Sequence, residues 1–403
     1  MTRPAGPGLL AALLGAVAAG PLLLYGLSAT SDLIIRDLGI NAAQFGLLAT
    51  ACFACATVGN ASLGRLADAH SDRTLMIVVF ALAAVALGVA ALAGGFAVLL
   101  VAAGLSGLAQ SFPNGVTNRI LLQRVPAGQR IGWAGIKQSG VQASQLVASL
   151  AFPVLAVWVG WRGASVFGMV LVLALMVLAL RALAAVDPLE QEVEHEVGAA
   201  RAAAPPGRRP VTRARQPGVV WALAAFGFLN GLGVQATNVY IPLFAVRELD
   251  FSLVAGGATA AVAGAVGVTA RIGWGRVMAR GVSAPALLLV LALLALAGAG
   301  AFFAADAAGS PALLWTAVAL HGASALGVSV VLMAALLRSI SAASMASASG
   351  IVSAGMFGGF TLGPLMMGAL ISTAGGFEAG WAAVAGAYIA CAGLAAFLAA
   401  RRR

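Results

Sequence analysis

The sequence predicts an all-α membrane protein in which twelve transmembrane helices form two pseudo-symmetric bundles of six. Three observations carry that expectation. Of 403 residues, 61% are hydrophobic and only 9% charged, against about one quarter charged in soluble domains, so the chain cannot clothe itself in a water-facing surface. Mean hydropathy is +1.00, and apolar stretches of the ~20 residues needed to cross ~30 Å of hydrocarbon recur from Leu9 almost to the last residue. These stretches fall into six, one long polar segment, and six more.

Backbone groups in lipid must be satisfied within a helix or a closed barrel, and continuous Ala, Leu, Val and Gly runs select helices. The 51 glycines, with abundant Ala and Ser, read as surfaces that let helices approach closely. The first six spans lie near 9 to 30, 42 to 63, 75 to 94, 97 to 121, 133 to 158 and 163 to 183. The stretch from Leu9 to about Ala29 is longer than the apolar core of a secretory signal and is followed by more spans, so it is expected to be retained as span 1. The second six lie near 218 to 240, 252 to 272, 284 to 304, 312 to 338, 347 to 372 and 379 to 399. Residues 1–184 and 218–403 are therefore the expected bundles. The segment 185–217 between them is acidic first (Asp187, Glu190, Glu192, Glu194, Glu196) and then basic and Pro-rich (Arg201, Arg208, Arg209, Arg213, Arg215), the pattern of a solvated tether.

Orientation follows from the basic residues, which favour cytoplasmic loops. One face collects 17 of the 23 Lys and Arg residues, the other only Arg36, Arg162 and Arg247, and Arg119, Lys137 and Arg271 fall within spans. Both termini and the linker are expected on the cytoplasmic side of the inner membrane. The net charge of +10 is spread over short loops rather than clustered on a soluble face, which argues against a nucleic-acid partner.

The two halves repeat weakly. Gly135-Ile136 and Gly140 in span 5 recur as Gly350-Ile351 and Gly355 in span 11, and Gly160-Trp161 as Gly380-Trp381. Gly64-Arg65 recurs as Gly275-Arg276, and Ala29-Thr30 as Ala236-Thr237. Four matches in register are the trace of an internally repeated membrane fold. Cys52, Cys55 and Cys391 all lie in apolar runs and imply neither disulfides nor a metal site.

The loop after span 2 carries Gly64, Asp68 and Arg73 at a spacing that resembles the signature loop of the major facilitator superfamily. That resemblance implies two six-helix bundles rocking about a central cavity, with the signature Asp latching one bundle to the other; a carboxylate near a helix N-terminus with basic partners is suited to a breakable latch. Gly64, Asp68, Arg73, Gly275 and Arg276 are the expected gating residues, although Ala279 stands where the second-half Asp would map. Span 11 carries Gly359, Gly363, Pro364 and Gly368, similar to a Gly-Pro motif of drug antiporters but in the other half, where packing and hinging are the expected role.

Ionisable residues inside a membrane cost roughly 2.5 to 3.5 kcal/mol each and mark function. Here they are Arg119, Lys137, Arg271 and His321, while all thirteen acidic residues fall in loops, the linker or span ends. Cationic groups without a matching carboxylate suit an anionic substrate, and Ala270-Arg271-x-x-x-Gly275 resembles the span-8 arginine of monocarboxylate and oxalate porters. Arg119 and Arg271 each precede a loop arginine by five residues, so snorkelling to the surface is the even alternative. Amides form stripes: Gln110, Asn114 and Asn118 in span 4; Gln138, Gln142, Gln145 and Ser149 in span 5; Asn230, Gln235 and Asn238 in span 7. They line a wet pathway or bond helix to helix. His321 is the expected proton-coupling residue, or else a neutral ring bonded to a helix carbonyl, with Asp32 as the second proton site or an external cap.

The expected function is alternating-access transport of a small organic anion, a carboxylate, driven by a proton or exchange gradient, with lipid and the small-molecule substrate as partners of a monomer. Efflux of drugs or other hydrophobic compounds is the rival, and a non-transporting sensor the reading from another class. No catalytic cluster, metal-ligand spacing or cofactor-binding loop points to an enzyme.

Overall fold

The computed structural model describes residues 6–62, 70–186, 217–340 and 342–400. Among them every regular element is a helix. Ten helices are long and apolar enough to cross a membrane, and a bent pair, Pro7–Ala19 with Leu22–Ala29, makes an eleventh span. One of the ten, Gly128–Ala184, runs for 57 residues, about 85 Å at 1.5 Å per residue, far more than one hydrocarbon layer needs. It is interrupted at Gly160, whose φ of 70° and ψ of 171° no other residue adopts readily. The rod is therefore two spans, and the total is twelve.

Span 1 is Pro7–Ala19 and Leu22–Ala29, bent by 56° where Pro21 removes a backbone donor; the short helix Ser31–Leu38 follows it. Span 2 is Ala42–Ser62 and span 3 is Asp72–Ala91. Span 4 is Phe96–Ser111 and Pro113–Arg124, broken at Pro113. Span 5 starts with Ala127–Gln138 and continues into Gly140–Ala184, of which the part after Gly160 is span 6. Spans 7, 8 and 9 are Gly218–Glu248, Leu253–Ala279 and Ala284–Ala308. Span 10 is Pro311–Ala323, a 3₁₀ turn at Ala325–Gly327, and Val328–Ser339. Span 11 is Ala342–Ile371 and span 12 is Gly376–Ala400.

The internal repeat has a packing basis. A Cβ on Gly140 would lie 2.5 Å from the Leu14 carbonyl of span 1, and one on Gly355 would overlap the Ala224 carbonyl of span 7. Each bundle thus uses the same glycine to seat its fifth helix on its first. Glycines 359 and 363 likewise let span 11 press on the Phe228 and Leu232 carbonyls of span 7, as their spacing predicts. Large apolar side chains such as Val157, Trp158, Phe167 and Leu178 stay exposed on spans 5 and 6, as a lipid-facing surface requires.

An even number of crossings puts Gly6 and Ala400 on one face of the layer, the terminal face; the opposite one is the far face. The bundles meet along spans 2 and 11, 5 and 8, and 1 and 7, and the seam is tightest toward the far face. There the Tyr240 hydroxyl donates to the Ala42 carbonyl (2.7 Å), Thr50 donates to the Thr361 carbonyl (2.9 Å), and Ser28 donates to the Val239 carbonyl (2.7 Å). Midway, Phe53 packs on Phe360 with ring centroids 5.5 Å apart.

Candidate functional site

The break in span 10 prepares the site. Where the helix gives way to the 3₁₀ turn, the carbonyls of Ala323, Ala325 and Leu326 are reached by side chains. The donors are Trp274 Nε1 to Ala323 (2.6 Å), Asn230 Nδ2 to Ala325 (3.3 Å) and Arg271 Nε to Leu326 (2.8 Å). Anchored at Nε, the Arg271 guanidinium reaches across the seam, and Nη1 donates to Gln142 Oε1 of span 5 at 2.5 Å. Its remaining nitrogen, Nη2, has no partner among the described residues.

Around Arg271 the seam is polar and buried. Tyr25 of span 1 places its hydroxyl beside Arg271 and against the Gln235 amide of span 7. Gln142, Gln145 and Gln235 are at most 5% exposed. Farther toward the far face, His321 Nε2 lies 3.0 Å from Asn238 Oδ1, while the Asn238 carbonyl accepts from Ser28 of the other bundle (3.2 Å). Of the two readings of His321, the hydrogen-bonded core histidine describes its contact, with a side-chain amide in place of a carbonyl.

The other expected site residues divide. Lys137 is buried in the N-terminal bundle, its Nζ donating to Thr117 Oγ1 at 2.7 Å. Asn114, Asn118 and Gln138 are exposed on the terminal-face halves of spans 4 and 5. Arg119 is drawn to the terminal face, where it pairs with Asp72 at the start of span 3 (2.6 Å) and donates to the His70 carbonyl. Its geometry follows the surface alternative rather than the cavity. Asp32 is buried at the far face and pairs with Arg36 (2.9 Å) and, across the seam, with Arg247 (2.9 Å). Nearby Asp37 accepts from Trp161 Nε1 (3.0 Å) and Arg162 (2.6 Å); the indole hydrogen bond first, then the guanidinium, hold its carboxyl below the usual carboxylate range. Arg73 and Arg276 are exposed and Gly275 is half-buried; Gly64 and Asp68 lie outside the described residues.

Neither Lys137 nor Arg271 forms an ion pair among the described residues. A half-buried guanidinium with a spare edge, a phenol and several buried amides, shared by two bundles, is equipped to hold a small polar molecule by charge and hydrogen bonds.

The family model described as Major Facilitator Superfamily matches residues 9–347. The chain belongs to the major facilitator superfamily. No curated protein sequence matches it. Among solved structures of this superfamily, it is similar to a D-xylose-proton symporter (13% identity, 96% of each chain, TM-score 0.75). It is also similar to the nucleoside transporter NupG in a D323A form (15% identity, 97% of this chain and 99% of that one, TM-score 0.73). A bacterial homologue of the human lysosomal transporter Spinster, inward-facing and occupied, matches at 18% identity over 100% of this chain and 98% of that one, with a TM-score of 0.73. At such identities the likeness establishes the fold. A major facilitator chain is a membrane transporter rather than an enzyme, and the seam between its bundles is where its substrate site is sought.

Tyr25 escaped the sequence reading because one phenol in a Leu-rich run has no periodic signal. Trp274 was equally silent, although it follows Arg271 by three residues and so shares a helix face with it.

Proposed function

We propose that this superfamily member moves a small organic anion, most simply a carboxylate, through the seam by alternating access. The bundles 1–184 and 218–403 rock about it, joined by the segment 185–217 on the cytoplasmic side. The observation that carries the reading is Arg271, whose Nη2 edge has no partner and whose charge no acid answers among the described residues. A carboxylate there gains a charge-assisted bond without displacing a protein partner. Lys137, fixed on Thr117 behind the exposed Asn114, Asn118 and Gln138, adds positive potential to the approach from the terminal face.

A second reading has its own support. The amides of Gln142, Gln145, Asn230, Gln235 and Asn238 suit a neutral polyhydroxylated molecule, and two of the similar structures are named as nucleoside and xylose transporters. One experiment separates them. In proteoliposomes, Arg271→Gln should lower anion uptake by about 100-fold, the range for truncating one partner of a buried charge pair, while leaving no neutral solute as a better competitor. Full uptake by Arg271→Gln, or competition by sugars and nucleosides but not by carboxylates, sinks the anion reading. Coupling to protons through His321 or Asp32 is tested in the same vesicles by imposing a pH gradient: uptake unchanged by the gradient excludes it.

A further inference from the structure

Apart from the seam, the starts of spans 7 and 9 and the ends of spans 10 and 12 enclose a narrow crevice at the terminal face. Val219 and Leu223, Pro285 and Leu288, Ala335 and Leu398 line it, and Ser339 is the single polar side chain beside them. Leu223, Leu288 and Ala335 are buried at its floor, while Val219, Ser339 and Leu398 are half-buried at its mouth. Trp221, Leu337 and Phe397, at the same depth on three of these helices, are exposed, so apolar surface surrounds the mouth. We propose that this crevice holds an anionic phospholipid of the leaflet at the terminal face, with an acyl chain between the four spans and the phosphate on Arg338.

Arg338 directly precedes Ser339 and is exposed. Its Nη1 donates to the Val282 carbonyl (2.9 Å) and its Nη2 to the Met278 carbonyl. These bonds fix the guanidinium on the turn between spans 8 and 9, where Val282 stands two residues before Ala284 of the crevice wall. They position the group without neutralising it: its other N–H groups have no partner among the described residues, and a guanidinium fork suits phosphate oxygens. Arg276 and Arg280 on the same side are exposed too, and none of the three arginines forms an ion pair among the described residues. The four acids of residues 218–403, Glu248, Asp250, Asp306 and Glu378, all lie toward the far face. Spans 7 and 9 add the positive ends of their dipoles, for neither start carries a side-chain cap. The crevice thus joins an apolar slot to an uncompensated cationic rim at the depth of the headgroups, the complement of a lipid with an apolar tail and an anionic head. A water-soluble anion would use the rim and leave the slot empty.

The test measures Tm and retained lipid for the detergent-purified full-length protein titrated with phosphatidylglycerol, phosphatidylcholine of the same chains, or inorganic phosphate. Phosphatidylglycerol should raise Tm and remain bound in native mass spectrometry, and the other two should do neither. Arg338→Gln should raise the half-saturating concentration of phosphatidylglycerol about fivefold, the share of one arginine near an anionic surface. Ser339→Phe, which fills the mouth, should lose the retained lipid; Val219→Phe fills the same mouth from span 7 and answers the question should Ser339→Phe not fold. Equal gains from phosphatidylcholine, or an unchanged half-saturation in Arg338→Gln, overturn the proposal. A gain from inorganic phosphate alone overturns it in favour of a free-anion site. Dimers that exclude the lipid and disappear in Ser339→Phe overturn it in favour of a second copy of the chain.

Discussion

The seam between the bundles has two halves that differ in kind. Toward the far face, backbone touches backbone: a Cβ on Gly46 would lie 2.5 Å from the Pro364 carbonyl, one on Gly368 would lie 2.8 Å from the Ala42 carbonyl, and one on Gly257 would overlap the Ser149 carbonyl. Toward the terminal face, a Cβ on Gly115, Gly135, Gly273 or Gly350 would meet nothing within 4 Å among the described residues. The polar side chains follow the same division, with Gln142, Gln145, Gln235 and Asn238 buried in the closed part and Asn114, Asn118 and Gln138 exposed in the open part. An exposed amide at membrane depth belongs to a water-filled approach, not to lipid. The close contacts of the seam therefore lie toward the far face and the glycines with room toward the terminal face, a contrast that shows where glycine is structural and where it is merely tolerated.

That contrast can be broken by filling each half in turn. The largest effect is expected from Gly257→Leu, which wedges spans 5 and 8 apart; transport should drop by more than about tenfold, since overpacking a tight contact costs ~1 to 3 kcal/mol, and thiol labelling from the far face should rise. Reversing the buried charge with Asp32→Arg should likewise open the far face, and adding Arg247→Asp should restore closure. Failure of the double reversal to restore it would show that the ion pair is not part of the closure. Tyr240→Phe removes one hydrogen bond across spans 2 and 7 and should cost about 1 kcal/mol, read as a fall of a few degrees in Tm of the detergent-purified protein. The smallest effect should come from Gly135→Ala or Gly350→Ala, which have room and a helix-propensity gain of ~0.5 to 1 kcal/mol; a marked loss of transport in either would mean that the terminal half closes tightly during the cycle.

The spans were legible because lipid imposes length and hydropathy on every crossing, and the observed helices begin and end close to the expected positions. The repeat of Gly135 and Gly140 as Gly350 and Gly355 marks both glycines of each pair alike. Gly140 is pressed on span 1 while Gly135 stands open, a distinction made only by tertiary packing. Arg271 and Arg119 look alike as intramembrane arginines five residues from a loop; the Leu326 carbonyl and Gln142 hold one in the seam, and Asp72 draws the other to the surface. Composition records none of these partners.

Thiol accessibility measures the asymmetry of the seam directly. With Cys52, Cys55 and Cys391 replaced, single cysteines at Asn118 and Ser31 report the terminal and far halves, the first exposed and the second 1% exposed. A membrane-impermeant maleimide should label Asn118→Cys from the terminal face and spare Ser31→Cys in the resting protein, and a transported substrate should shift reactivity from the first to the second. Simultaneous labelling of both from their respective faces, or labelling that substrate never redistributes, would contradict a seam that opens on one side at a time.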